Sequence, residues 1–270
     1  MLSYEVFTAL RSKRVACFFV FFLLITSYDL YQNYRLAFGQ FLMGKIASKP
    51  TGSGLLHPCF ASFISASHIG RLPQILMVWA FPLYPLFSYA DSFALQKQCG
   101  YYNILLTKTE RKKVICSRLT AAFLIPFLVT LVVLLLNFGV ANVIFRGGTS
   151  FTGLETALER GGVSGLLRIS LLHPYVVYIA HILVFSLVTG LYGVFCAAVT
   201  FFIPKYTLLY PVVFFVWFSL LNLPYVILSI MNSFSEYPIR EMIVSSFYYI
   251  AMVVATTVAA YIYKVKCDEL

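Results

Sequence analysis

Charge is scarce in this chain: 11% of its residues are Asp, Glu, Lys or Arg, against roughly a quarter in a soluble domain. That scarcity excludes a water-exposed surface over most of its length. Phosphate-cradling loops are missing too. No G-x-x-x-x-G-K-[ST] occurs, so the polypeptide has no P-loop with which to bind and split ATP by itself. Paired carboxylates and histidine clusters are absent from the apolar runs. His181 is the catalytic candidate there, with His173 just outside, and with no carboxylate partner it reads as a packed histidine. The six cysteines show no disulfide pattern, and His57, Cys59 and His68 match no zinc spacing.

What the chain does have is apolar mass: 60% hydrophobic residues, including 26 Phe and 19 Tyr, and a mean hydropathy of +0.85. A hydrocarbon core about 30 Å thick takes roughly 20 apolar residues per crossing helix. Long runs rather than short alternating ones demand helices, because backbone groups in lipid must satisfy one another. The pattern predicts an all-α integral membrane fold with six spans, at Val15 to Tyr34, Pro73 to Ala90, Leu119 to Phe145, Tyr175 to Ile203, Tyr206 to Leu223 and Ile243 to Tyr263. Asp29 is expected near the outer end of the first span, within reach of water. Arg11, Lys13 and Arg14 before an apolar run look like a signal peptide, but no small-residue cleavage site follows, which makes the run an uncleaved span.

Basic residues set the expected orientation. Arg11, Lys13, Arg14, Lys97, Lys108, Arg111, Lys112, Lys113, Arg118, Lys205, Lys264 and Lys266 fall on one side in short segments; the other eight lie in longer loops. The positive-inside rule makes the first side, with both termini, cytoplasmic. The net charge of +10 belongs to membrane boundaries and lipid headgroups, so nucleic acid is not expected as a partner. Residues 1–14 carry Leu2, Val6, Phe7 and Leu10 at helical spacing, predicting an interfacial helix. On the other side, 146–174 reads as an amphipathic outer segment with Leu154, Leu158, Leu166 and Leu167, broken at Gly161 and Gly162.

The most informative stretch joins the second and third spans, DSFALQKQCGYYNILLTKTERKKVICSR from Asp91 to Arg118. Phe93, Leu95, Tyr101 and Tyr102 are anchors of the kind that dominate interfaces, with Gln96, Lys97 and Gln98 as a polar rim and Gly100 suited to a left-handed cap. In the fourth span Ser186, Gly190, Gly193 and Ala197 recur at spacings of four, three and four, a small-residue face for packing within the subunit or across a dimer seam. In the third, Asn137 and Asn142 suit helix-to-helix hydrogen bonds or the lining of a path.

The opening YEVFTALRSKR, the six-span plan and the Asp91 to Arg118 loop resemble the permease subunits of ABC-type exporters, the type 2 permease superfamily. Asp91, Gly100, Leu105, Leu106, Arg111 and Arg118 stand where that family's loop pattern asks. Gln96 replaces its Glu, Thr109 stands near its Pro, and Ser117 with Arg118 replaces its Gly-Lys. The resemblance covers nearly the whole chain and implies one transmembrane permease domain over 1–270. It implies a coupling helix at about Ser92 to Gly100 that docks on a separate ATPase subunit, present in two copies and holding the ATP and Mg. It also implies a second permease subunit, identical or sister, and a re-entrant outer segment at 222–242, bounded by Pro224 and Pro238, that closes the outer mouth. The expected cargo is lipophilic or amphipathic, such as an antimicrobial or signalling peptide. The competing expectation is a membrane immunity or toxin-binding protein that transports nothing.

Overall fold

The computed structural model describes residues 2–43, 51–65, 71–152, 154, 165–203, 205–225, 227–235 and 237–267. They form an α-helical membrane protein in which four helices are long and apolar enough to cross a bilayer. A short helix α1, Leu2–Leu10, precedes α2, Lys13–Leu42, whose first turn is capped by Ser12 accepting from the Val15 amide at 3.3 Å. Because α2 runs to Leu42 rather than ending at Tyr34, Asp29 falls in its interior and is fully buried, not at a wet end.

The second apolar stretch is not one helix. It breaks into α4, Leu72–Ala80, a turn α5, Leu83–Pro85, and a wider-wound π segment, Leu86–Ala90. Pro82 and Pro85 explain the break, since proline removes a backbone donor and crowds the preceding turn. Four residues before Pro82, the Val78 carbonyl loses its helical partner, and the Trp217 indole donates to it instead at 2.8 Å. Beyond this stretch lie α6, Ser92–Gln98, and α7, Tyr101–Lys108; then α8 runs from Arg111 to Ile144, starting eight residues before the expected Leu119.

The remaining helices are α9, Gly165–Leu172, α10, Pro174–Phe202, α11, Tyr206–Leu221, α12, Leu228–Met231, and α13, Ile239–Ile262, followed by a π turn to Cys267. At 1.5 Å per residue, the 16 residues of α11 reach only about 24 Å, short of a full hydrocarbon crossing. Residues 153 and 155–164 of the amphipathic stretch expected at 146–174 lie outside the described residues, as does His68 of the His/Cys trio.

The α8–α10 pair is the structural centre. Gly190 and Gly193, from the small-residue stripe, both face α8. A β-carbon at Gly190 would sit 2.9 Å from the Phe123 ring; one at Gly193 would meet the Ala122 carbonyl and come within 2.9 Å of Pro126 Cγ. The Ala122 carbonyl is the one Pro126 strips of its helical donor, so the glycine backbone approaches where α8 has an acceptor to spare. Ser186, on the same face, is buried and donates to the Ile182 carbonyl at 2.8 Å; Ala197 is buried one turn beyond Gly193.

A pair of short parallel strands, β1 at Gly52–Leu56 and β2 at Gly148–Ser150, lies at the end where α2 and α8 finish. From β1 the chain turns inward through α3, Pro58–Ala61, and all eight residues Pro58 to Ser65 are buried. Polar side chains from α2, α4 and α8 hold this inserted segment. Asn33 donates to the Ala61 carbonyl at 2.8 Å, Gln74 donates to the Phe63 carbonyl at 2.9 Å, and Asn137 accepts from the Phe63 amide at 3.1 Å while donating to the Thr26 carbonyl at 3.0 Å. The second expected cross-helix residue, Asn142, turns back on its own helix, bonding the Phe138 carbonyl at 2.8 Å.

Candidate functional site at the basic end

The opposite end, where α2 and α8 begin, gathers the basic residues and the Asp91 to Arg118 stretch. Gly100 has φ +71 and joins α6 to α7, a left-handed conformation that a residue with a β-carbon adopts at a cost of about 1 kcal/mol. The two short helices therefore meet at a sharp corner. Tyr101 and Ile104 project outward from α7, 45% and 58% exposed. The side chain of Leu106, like those of Lys97, Gln98 and Tyr102, lies outside the described residues.

Asp91 is buried and serves as a hub. Arg14, from the first turn of α2, reaches both carboxylate oxygens at 3.0 and 3.2 Å, and the Tyr210 hydroxyl of α11 donates at 3.4 Å. Burial pushes the Asp91 carboxyl above the usual carboxylate range, while Arg14 pulls it back. Next to it the Tyr89 hydroxyl donates to Glu5 of α1 at 2.8 Å. Three elements that are separate in the chain, α1, α2 and α11, thus converge on the last turn before α6.

Phe93 corrects the sequence expectation. Expected to be an outward anchor, it is 3% exposed, edge-on to Phe201 at 4.8 Å, with the Arg118 guanidinium 5.1 Å from its ring centre and the Lys264 ammonium 5.8 Å away. An aromatic ring between two cations is a stable inward arrangement. Arg118 is likewise buried and donates to Gln96, so these residues tie α6 to α8 rather than facing a neighbour. Arg111 reaches the Lys264 carbonyl at 3.4 Å.

Between α1, the π segment and the α6–α7 corner opens a cleft of about 710 Å³. Asp91, Leu95, Gln96, Tyr101 and Leu105 line it, so five of the residues singled out in the loop share one cavity; Phe93, Arg111 and Arg118 are not among its lining residues. Glu5, Arg14 and Tyr89 line it as well and were missed. The sequence holds a signal for two of them: Arg14 is one of the topology-setting charges, and Glu5 is the acidic residue of the amphipathic stretch 1–14.

The far end differs. The 222–242 segment enters the protein between Ile227 and Ser235 and meets the 58–65 insertion, where Ser65 bridges Ser233 and the Ser233 amide donates to the Ile64 carbonyl at 2.9 Å. Phe234, at φ +57, packs its ring on Phe60 at 5.6 Å and Phe151 at 5.7 Å. Pro238 caps α13, and Pro224 lies in the turn after α11. His57 caps α3 through the Cys59 amide at 3.3 Å, and burial lowers its imidazole from the ordinary value; the Cys59 thiol is pushed up to about 12 by burial. In α10, His181 sits on the Val177 carbonyl at 2.8 Å, a local helix contact.

No family model and no solved structure matches this chain. It is 28% identical over 181 residues to a Bacillus subtilis (strain 168) protein whose name reads "Uncharacterized protein YybM", covering 67% of this chain and 71% of that one.

Proposed function

We propose that the chain is the membrane-spanning permease subunit of an ABC-type exporter, embedded in the cell membrane with six crossings and both termini in the cytoplasm. It pairs with a second permease subunit, identical or sister, and with two copies of an ATPase subunit that carries the ATP and Mg. The observation that supports this best is the α6–Gly100–α7 corner. It is a compact, glycine-cornered pair of helices on the basic end, with Tyr101 and Ile104 turned outward and with its inner side joined to the body of the protein. A lever needs both an exposed contact and a stiff attachment.

Force applied to Tyr101 and Ile104 travels through two attachments. Phe93 carries it to Phe201 of α10 and to Arg118 of α8; Asp91 carries it to Arg14 of α2 and Tyr210 of α11. The coupling is a rigid-body shift of packed helices rather than chemistry on this chain. At the far end the segments around Pro58–Ser65 and Ile227–Ser235, the second lying between Pro224 and Pro238, keep the outer mouth closed until that shift. The cargo is lipophilic or amphipathic, and an antimicrobial or signalling peptide suits an aromatic-rich interior.

The test is recruitment. Detergent-extracted protein should bring down a P-loop ATPase, and Tyr101→Asp with Ile104→Asp should abolish that recruitment while the chain still inserts. Undiminished recruitment by the double variant, or no ATPase bound by the wild-type protein, would sink the proposal.

A further inference from the structure

The cleft at the basic end carries more than the exporter reading needs. Its volume of about 710 Å³ falls within the roughly 300–1,000 Å³ typical of ligand sites. Its lining groups also carry both signs of charge at one membrane boundary. Arg14 stands in the first turn of α2, immediately before the apolar run from Val15, while Ser88 and Tyr89 close the apolar run before Asp91. That is the level at which headgroups lie, where Arg and Tyr flank crossing helices.

Arg14 is held in place by Asp91 through Nη1 and keeps 42% of its side chain exposed. A guanidinium has five N–H donors, so those not engaged with Asp91 can meet a phosphate. Glu5 accepts from Tyr89 through Oε2 and is half-buried, which leaves its second oxygen for a cation. Hydroxyls of Thr8, Ser12 and Ser92 lie along the walls, and Leu95 and Leu105 give an apolar flank for the first methylenes of the acyl chains.

We propose that this cleft binds the phosphoethanolamine headgroup of a membrane phospholipid, with the phosphate on Arg14 and the ammonium on Glu5. The lining holds one cation, Arg14, and two carboxylates, Asp91 bonded to it and Glu5 half-engaged, so a phosphate there needs an ammonium beside it, which a zwitterion brings. A purely anionic headgroup would leave Glu5 facing like charge. The inference does not depend on an ATPase partner, so it stands or falls separately from the exporter reading.

Native mass spectrometry of the full chain in detergent tests it, with palmitoyl-oleoyl phosphatidylethanolamine, palmitoyl-oleoyl phosphatidylglycerol and free phosphoethanolamine as probes. The ethanolamine lipid should be retained at about tenfold lower concentration than the glycerol lipid, a gap of about 1.4 kcal/mol. Glu5→Gln should erase that preference, and filling the cleft by Leu95→Trp should cut retention at least about tenfold. If Leu95→Trp fails to fold, Thr8→Trp fills the cleft from the α1 wall and should give the same loss. Equal retention of the two lipids by the wild-type protein would overturn the proposal. So would undiminished retention in a folded cleft-filled variant. Free phosphoethanolamine binding as tightly as the lipid would make this a site for a soluble ligand, also against the proposal.

Discussion

The two ends of this bundle use polar residues in opposite ways. At the far end neutral side chains from α2, α4 and α8 donate to and accept from the backbone of an inserted segment, and the space closes. At the basic end Arg14 pairs with Asp91, Glu5 accepts from Tyr89, Arg118 and Lys264 lie against Phe93, and a cleft remains open. Amide-to-backbone bonds substitute for missing secondary structure, which a chain folded inside lipid must complete. The Arg14–Asp91 pair is wet on one side: water reaches the guanidinium, while the buried carboxylate keeps its partners in Arg14 and Tyr210.

That contrast can be tested from its strongest side downward. Asn137→Ala removes two buried bonds, to Thr26 and Phe63, and should cost about 3 kcal/mol, seen as a lower thermal midpoint in detergent. The same variant should make Cys59 label with maleimide at neutral pH. In the wild-type protein this thiol is buried with a pKa of about 12 and should stay silent while exposed Cys99 reacts. Gly193→Ala forces a methyl onto the Ala122 carbonyl and should destabilise by about 2 kcal/mol in the same assay. Trp217→Phe strands the Val78 carbonyl and should cost about 1–2 kcal/mol.

Arg14→Gln should move the midpoint least, by less than about 1 kcal/mol, because the guanidinium is partly exposed and the buried Asp91 carboxyl, already lifted by burial, can take up a proton when the cation is lost. A larger loss there than from Asn137→Ala would invert the comparison. A pH series sharpens it further. Burial lifts the Asp91 carboxyl above its ordinary range, so its contribution to stability is complete below the unfolded value and fades as pH rises through the lifted one. Asp91→Asn should flatten that part of the profile.

Much of the architecture was legible from hydropathy. The long runs in α2, α8, α10 and α13 are helices because nothing in their composition interrupts them beyond Pro126, which α8 absorbs. The run Pro73 to Ala90 failed as one helix because hydropathy counts apolar residues and ignores that Pro82 and Pro85 lie three apart near its middle. The inward course of Pro58 to Ser65 was invisible for a different reason. Eight residues are too few for a span, and their burial depends on Asn33, Gln74 and Asn137, which are distant in sequence.

At the basic end the α6 helix and the left-handed Gly100 follow from local chemistry, and both were readable. The inward turn of Phe93 was not, since its partners Phe201 and Lys264 come more than a hundred residues later. Arg14 and Glu5 were visible as charges but not as cleft walls, for periodicity says which face a residue takes and not what that face meets.

The close seating of Gly193 on the carbonyl that Pro126 sets free has a mechanical corollary. Two helices meshed backbone to backbone at that depth can neither slide by a turn nor roll without steric collision, so α8 and α10 must travel as one strut. Flexure then falls to the proline-segmented stretch between Ala80 and Asp91, which has no continuous helical ladder and hands directly to the glycine corner beyond it.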